Sequence, residues 1–216
     1  MKKLMDIALA LVMTLAICGT ANAWFIDFEH ALGQDNTPIG GSIPGLKFST
    51  TDGVDWIYGD ATSGNWNVSN DLGDSWLLGT YNIEGYCFAS TYGSFGSGRI
   101  DFLNRDASWF STGYTSYSQL YLEAYDEFDN LIDSDSGPAN TQDQAGYALD
   151  YLGVSSAGND IAYVLIHDSA NFWLADNMSG DASDVPNGDA IPEPATLLLL
   201  GAGLLGGGIV RKRAHK

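Results

Sequence analysis

The sequence predicts an all-β protein, an antiparallel β-sandwich, and three observations carry that expectation. Short runs of β-branched and aromatic residues recur from Trp24 to Met178, separated by clusters such as Thr62-Ser63-Gly64-Asn65 and Ser155-Ser156-Ala157-Gly158-Asn159. Some runs alternate, with Leu120, Leu122 and Ala124 on one face and Tyr121, Glu123 and Tyr125 on the other. No ten-residue stretch of this body shows an apolar period of 3.6 residues, and 26 Gly with 6 Trp, 11 Tyr and 9 Phe suit turns and a sandwich core.

In chain order, the expected strands are Trp24–Glu29, Gly45–Ser49, Val54–Tyr58, Ile83–Thr91, Arg99–Leu103 and Ser108–Tyr114. They continue with Gln119–Phe128, Leu131–Ser134, Tyr147–Val154, Ile161–His167 and Asn171–Met178. Glu123 to Leu131 reads as a hairpin with Asp129-Asn130 near its turn. The domain is expected over 24–178, followed by a flexible Gly/Asp-rich linker over 179–190.

The ends read as addresses. Met1-Lys2-Lys3, an apolar core from Ile7 to Ile17 and Ala21-Asn22-Ala23 make residues 1–23 a signal peptide with cleavage after Ala23. Leu15-Ala16-Ile17-Cys18 has the shape of a lipoprotein box, but the bulky Ile17 stands where a small residue is needed. At the other end, Ile191-Pro192-Glu193-Pro194 precedes an apolar Gly/Leu run from Ala195 to Val210 and then Arg211-Lys212-Arg213. As a helix, 195–210 would reach about 24 Å at ~1.5 Å per residue, short of a hydrocarbon core about 30 Å thick. Its glycines weaken it further, and the basic end would stay cytoplasmic. Two prolines around one acid keep the box extended and readable by a protease.

This tail, residues 191–213, resembles the PEP-CTERM sorting signal of Gram-negative bacteria. The resemblance implies processing by an exosortase, a membrane-embedded, cysteine transpeptidase-like enzyme that would recognise Pro192, Glu193 and Pro194. It further implies a precursor held briefly in the inner membrane by its C-terminal helix, and a mature form at the cell surface or in an exopolysaccharide matrix.

Between the two signals, three basic residues (Lys47, Arg99, Arg105) face 25 acids, leaving the body near −22. That balance excludes nucleic acid as a partner, because phosphate binding draws its affinity from Lys and Arg. It also disfavours anionic membrane surfaces and suits divalent cations. Cys87 is the one body cysteine, so no internal disulfide forms, and its apolar run Gly85-Tyr86-Cys87-Phe88-Ala89 predicts a buried, inert thiol.

Phe28-Glu29 near the start and Leu174-Ala175-Asp176-Asn177 near the end resemble the first and last strands of jelly-roll carbohydrate-binding modules. The resemblance implies that these strands are neighbours and that Asp27, Glu29 and Asp176 hold one structural Ca²⁺. Asp133-Ser134-Asp135-Ser136-Gly137 has the rhythm of a calcium loop, yet Gln144 stands where an EF-hand needs Glu, so a solvated turn is expected there. Among the aromatics, Trp66 and Trp76 sit in polar surroundings and are the candidate sugar-stacking rings; most others belong to the core.

Catalytic signals are sparse. His167-Asp168-Ser169 is contiguous on a strand, where neighbours alternate faces, so it cannot assemble a triad by itself. No nucleophile elbow, phosphate loop or zinc spacing is present. The reading is an exported, exosortase-processed, non-enzymatic envelope or matrix protein that binds or scaffolds extracellular polysaccharide. The alternatives are a glycan-active hydrolase with an unidentified carboxylate pair and a purely structural surface protein.

Overall fold

The computed structural model describes residues 23–29, 34–74, 77, 79–91, 93–104, 106–141, 149–158, 160–169, 172–183 and 185. The described strands are β1 Trp24–Ile26, β2 Thr37–Pro38, β3 Leu46–Thr50, β4 Ile57–Asp60, β5 Val68–Asn70, β6 Tyr81–Ile83 and β7 Cys87–Ser90. They continue with β8 Gly98–Phe102, β9 Trp109–Ser116, β10 Leu120–Tyr125, β11 Leu131–Gly137, β12 Asp150–Ser155, β13 Tyr163–Asp168 and β14 Trp173–Gly180. A 3₁₀ turn, Ala61–Ser63, follows β4.

Two antiparallel sheets face each other. Sheet A runs β12-β9-β14-β7-β4-β2, with β1 also on β14; sheet B runs β11-β10-β13-β8-β3. Alternation places Leu120, Leu122 and Ala124 inward and leaves Tyr121, Glu123 and Tyr125 on the outer side of β10, as expected. Between the sheets, Trp56 meets Phe48 at 5.4 Å and Trp173 at 5.2 Å, both edge to face. Phe102 of sheet B meets Phe110 of sheet A at 5.9 Å, and Trp24 packs on Phe110. Each such ring buries on the order of 150–250 Å², which makes these pairs the main apolar store of the fold.

The described residues between 61 and 86 form a third layer. They leave sheet A after β4, make the parallel pair β5–β6, and return as β7. Ala61, Val68, Leu77 and Ile83 of this excursion close over Phe88 and Leu174, on the side of sheet A opposite the main core. Every residue of β7, and all but one of β14, is therefore buried, and alternation vanishes from their sequences. Phe88 lies across Gly59 of the neighbouring strand β4, where a Cβ would run into its ring.

The structure departs from the sequence reading at several points. The single strand expected over Ile83–Thr91 is two, β6 and β7, broken at Gly85 with φ 61°. Asp133–Gly137 is not a turn: it is strand, paired with β10. As the edge of sheet B, β11 lends Asp133 and Asp135 to the backbone amides of Ser155 (2.8 Å) and Gly153 (3.0 Å) on β12. These acids close one side of the sandwich and blunt two exposed edges. Residues 179–185 of the expected linker are not free of the domain: β14 continues to Gly180, and Ala182 and Val185 are buried in the core, while 186–190 lie outside the described residues. The Asp126–Leu131 hairpin turn is as expected: the Asp126 carboxylate accepts the amides of Phe128 and Asn130, and Asp129 adopts φ 63°.

Gly59→Ala should therefore lower the unfolding free energy by about 1–3 kcal/mol through overpacking against Phe88. Gly41→Ala, where a Cβ meets nothing within 4 Å, is the control. Urea denaturation of the two variants checks this, and equal midpoints would contradict the packing described.

Candidate functional site

The excursion is fastened by carboxylates that accept backbone amides. Asp27 accepts the Glu29 amide at 3.0 Å and so turns the chain after β1, with buried Phe28 in the left-handed region (φ 59°). That turn sends the Glu29 carboxylate to the amides of Tyr86 and Cys87, both at 2.7 Å. Asp71 accepts the Gly85 amide at 2.9 Å, and Asp176 accepts the Glu84 amide at 3.1 Å. Four successive amides, Glu84 to Cys87, are thus each held by a carboxylate from elsewhere in the chain. Gly85 is the residue that fits, since a Cβ there would strike the Glu29 carboxylate.

Asp176 reaches its position through a bulge. The register of β14 against β9 shifts between Asp176 and Ser179, with Asn177 at φ 48°, a conformation Asn tolerates. On one side of the bulge β14 pairs with β7, and beyond it with β1, so the first and last strands are neighbours as expected. Asp176 is 1% exposed. Burial, offset in part by the Glu84 and Asn177 amides and reinforced by the charges of Glu29 and Glu84, pushes its carboxyl well above the usual carboxylate range.

A cleft of about 530 Å³ opens between the excursion and sheet A. The excursion supplies Asn65, Trp66, Asn67 and Tyr81; Asn36, Ser90, Thr91 and the Phe172–Leu174 segment are also in the lining. Half-buried Trp66 packs edge to face on Phe88 at 4.9 Å and donates its indole N–H to Asp35 at 2.6 Å. Asp35 also accepts the side-chain amides of Asn36 and Asn65, each at 3.0 Å, and the Asp60 backbone amide. Burial works to raise the Asp35 pKa, but hydrogen bonds from Asn65, Trp66, the Asp60 amide and Ser63 together outweigh it and lower it, so Asp35 is a fixed anion behind the cleft wall. Burial pushes the Tyr81 hydroxyl up to about 12, keeping it a neutral donor. Phe172 is 59% exposed and Tyr117 53%; the Tyr117 amide bonds the Phe172 carbonyl beside the cleft.

Of the expected sugar-stacking rings, Trp66 lines this cleft and Trp76 lies outside the described residues. Asp35 was not anticipated; an isolated Asp in a polar loop carries no signal until the fold brings Asn65 and Trp66 to it. The aromatics on the outer side of sheet B are stacked on one another, Tyr125 on Tyr163 at 5.0 Å and Tyr121 on His167 at 5.3 Å. Those facing rings spend their surfaces on each other and leave the cleft as the better platform. None of the cleft's described lining residues is a carboxylate. Asp168 accepts the Ser116 and Ser118 hydroxyls, away from His167, which faces Glu123.

The expected calcium ligands are each turned to amides: Asp27 to Glu29, Glu29 to β7, and Asp176 to Glu84 and Asn177. Among the described residues no group of three or more His, Cys, Asp or Glu is gathered to hold a metal ion. Cys87 is buried, 2.8 Å from the Tyr58 hydroxyl, and burial pushes its thiol up to about 11, consistent with an inert side chain. Pro192, Glu193, Pro194, Ala21 and the apolar segment 195–210 lie outside the described residues, while Ala23 immediately precedes β1.

The family model described as the PEP-CTERM protein-sorting motif matches residues 190–213. The chain carries a PEP-CTERM sorting motif. That motif indicates an exported protein made as a membrane-anchored precursor and processed by an exosortase. A search of curated proteins finds no match. Among solved structures, the chain is similar to the K2 cleaved adhesin domain of Lys-gingipain, with 12% identity over 73% of this chain and 97% of that one, at a TM-score of 0.43. A DUF4465 family protein from Bacteroides caccae gives 13% identity over 74% and 98%, at 0.42. A family 29 carbohydrate-binding module gives 11% over 73% and 90%, at 0.35.

The raised carboxyl of Asp176 sets a sign for pH. Its folded form binds a proton more tightly than its unfolded form, so its contribution to stability falls as pH rises from the ordinary carboxylate value through the raised one. Stability of the native chain relative to Asp176→Asn should therefore increase from mildly alkaline to mildly acidic solution. Paired urea denaturations test this; a difference independent of pH would show that Asp176 titrates normally.

Proposed function

We propose that the exported body is a non-enzymatic glycan-binding sandwich that acts at the cell surface or in an exopolysaccharide matrix, with the cleft at Trp66 as its binding site. The observation that carries this is the cleft itself: an aromatic platform of Trp66, Tyr81 and Phe172 ringed by Asn36, Asn65 and Asn67, on a rigid, fully packed sheet. Its volume lies within the ~300–1,000 Å³ typical of small-ligand pockets, and its mix of apolar walls with a few placed polar groups fits a sugar chain. The lack of a carboxylate in the described lining supports binding over hydrolysis, which needs two flanking acids.

Orientation supports capture before release. The cleft lies at the Trp173 end of β14, whereas Trp24 pairs with Gly180 at the other end and Asp181 holds the amides of Ser108 and Trp109 there. Eight residues of strand separate the two poles, on the order of 25 Å at about 3.3 Å per residue. Both ends of the body leave from the pole opposite the cleft, so a tethered precursor would point its cleft away from the membrane.

Trp66→Ala should reduce retention on the host's extracellular polysaccharide by at least about 30-fold, the loss of a buried aromatic anchor worth ~2 kcal/mol or more. Co-sedimentation measures it, and retention equal to the native protein would move the site elsewhere. For the tail, the double change Pro192→Ala and Glu193→Ala should leave an unprocessed chain in the membrane fraction; normal release of that variant would refute recognition through the box.

A structural Ca²⁺ is a separable proposal. The carboxylates of Asp27, Glu29 and Asp176 are the hard oxygen donors calcium takes, and binding would require them to share oxygens with the amides they hold. Thermal unfolding of the protein with calcium and with chelator decides it: a specific ion raises the midpoint, and coincident curves would remove it.

A further inference from the structure

We infer that the cleft takes a neutral, hydroxyl-rich glycan chain and rejects polyanionic ones. This rests on the glycan-binding reading above and adds the chemical class of the ligand. The neutral hydrogen-bonding groups of the wall carry it. Asp35 accepts the Asn36 and Asn65 side-chain amides, which leaves each of these side chains its amide oxygen and one N–H hydrogen for a ligand. Asn67 likewise spends an NH₂ hydrogen on Thr80 at 3.0 Å. The cleft therefore offers neutral acceptors and donors together, the Tyr81, Ser90 and Thr91 hydroxyls among its lining. Sugar hydroxyls, which both donate and accept, match such a wall, whereas carboxylate and sulfate groups can only accept and meet no cation in the described lining.

Charge acts in the same direction. No described lining residue is Lys, Arg or His, and the charges that act on the lining are anions: Asp35, bonded to the Trp66 indole, and Asp168, which acts on Tyr81. The cations of the body are placed elsewhere: Lys47 is on β3 and Arg99 on β8, both in sheet B, and Arg99 is engaged by Asp101 at 2.6 Å and lies 3.6 Å over the Tyr163 ring. Arg105 lies outside the described residues. A polyuronate would bring each charge to a body near −22 with no cation in the cleft's described lining to receive it, and screening weakens that repulsion mainly beyond about 8 Å at physiological salt.

The test is affinity electrophoresis of the full-length protein in mild detergent, through gels containing a neutral β-glucan, a mannan, a xylan, alginate or dextran sulfate. At least one neutral polymer should retard the protein at least tenfold more strongly than alginate or dextran sulfate, with little change between low and high salt. Asn65→Lys, which adds a cation to the wall, should narrow that ratio, and Asp35→Asn should weaken retardation by the neutral polymer. Preference for alginate or dextran sulfate, or retardation that collapses with salt, would overturn the inference and leave glycan binding standing. Retardation by none of the five would overturn the glycan-binding reading and the inference with it.

Discussion

The constraint that shapes this protein is a shortage of cations. With 25 acids and three basic residues in the body, carboxylates cannot be balanced by ion pairing. They are balanced by backbone amides. Asp52 gathers the Thr50 and Ser94 hydroxyls with the Phe95 and Gly96 amides; Asp126 holds its own hairpin; Asp181 holds the start of β9. Short Gly-rich loops leave amides without ladder partners, and a buried amide without a partner costs about 1–3 kcal/mol. Each carboxylate–amide contact removes two problems, the unpaired donor and the uncompensated anion. The hydrogen-bonded carboxyls of Asp52 and Asp126 accordingly fall below the usual range, while Asp176, buried among other acids, rises above it.

The same device builds the cleft. Glu29 and Asp176 grip Glu84, Tyr86 and Cys87 from outside the β5–β6 excursion and Asp71 grips Gly85 from within it, adding to the Asn82 and Asp35 contacts and to the small apolar cluster. The excursion in turn carries Asn65, Trp66, Asn67 and Tyr81 to the edge of sheet A, where Asp35 fixes Trp66 and its flanking amides. Acids thus act twice: they hold the wall in place, then set which hydrogen-bonding ends the wall offers.

Sheet B was legible in the sequence because its strands cover one face of the core and keep the period of two, as β10 shows. Sheet A was harder to read. Where a third layer covers its outer side, alternation gives way to uniformly buried runs such as Cys87–Ser90. Strands as short as Thr37–Pro38 carry no period at all. Asp133–Gly137 reads as a solvated turn because it has the rhythm of a calcium loop without the Glu that would complete one, but as an edge strand it uses its acids to reach β12. At the site, Trp66 stood out because a large ring in a polar loop is unusual. Asp35 could not be found that way, since its meaning depends on Asn65 and Trp66, some thirty residues away, and Asn36 and Tyr81 join the site only through the fold.

The most direct measurement of this account is segment-resolved hydrogen exchange on Glu29→Ala. The variant leaves the amides of Tyr86 and Cys87 without their acceptor and should raise exchange across residues 61–87, while β10 and β13 of sheet B keep native protection. Unchanged exchange across 61–87, or an equal loss throughout both sheets, would show that the carboxylate clamp is not what holds the cleft wall.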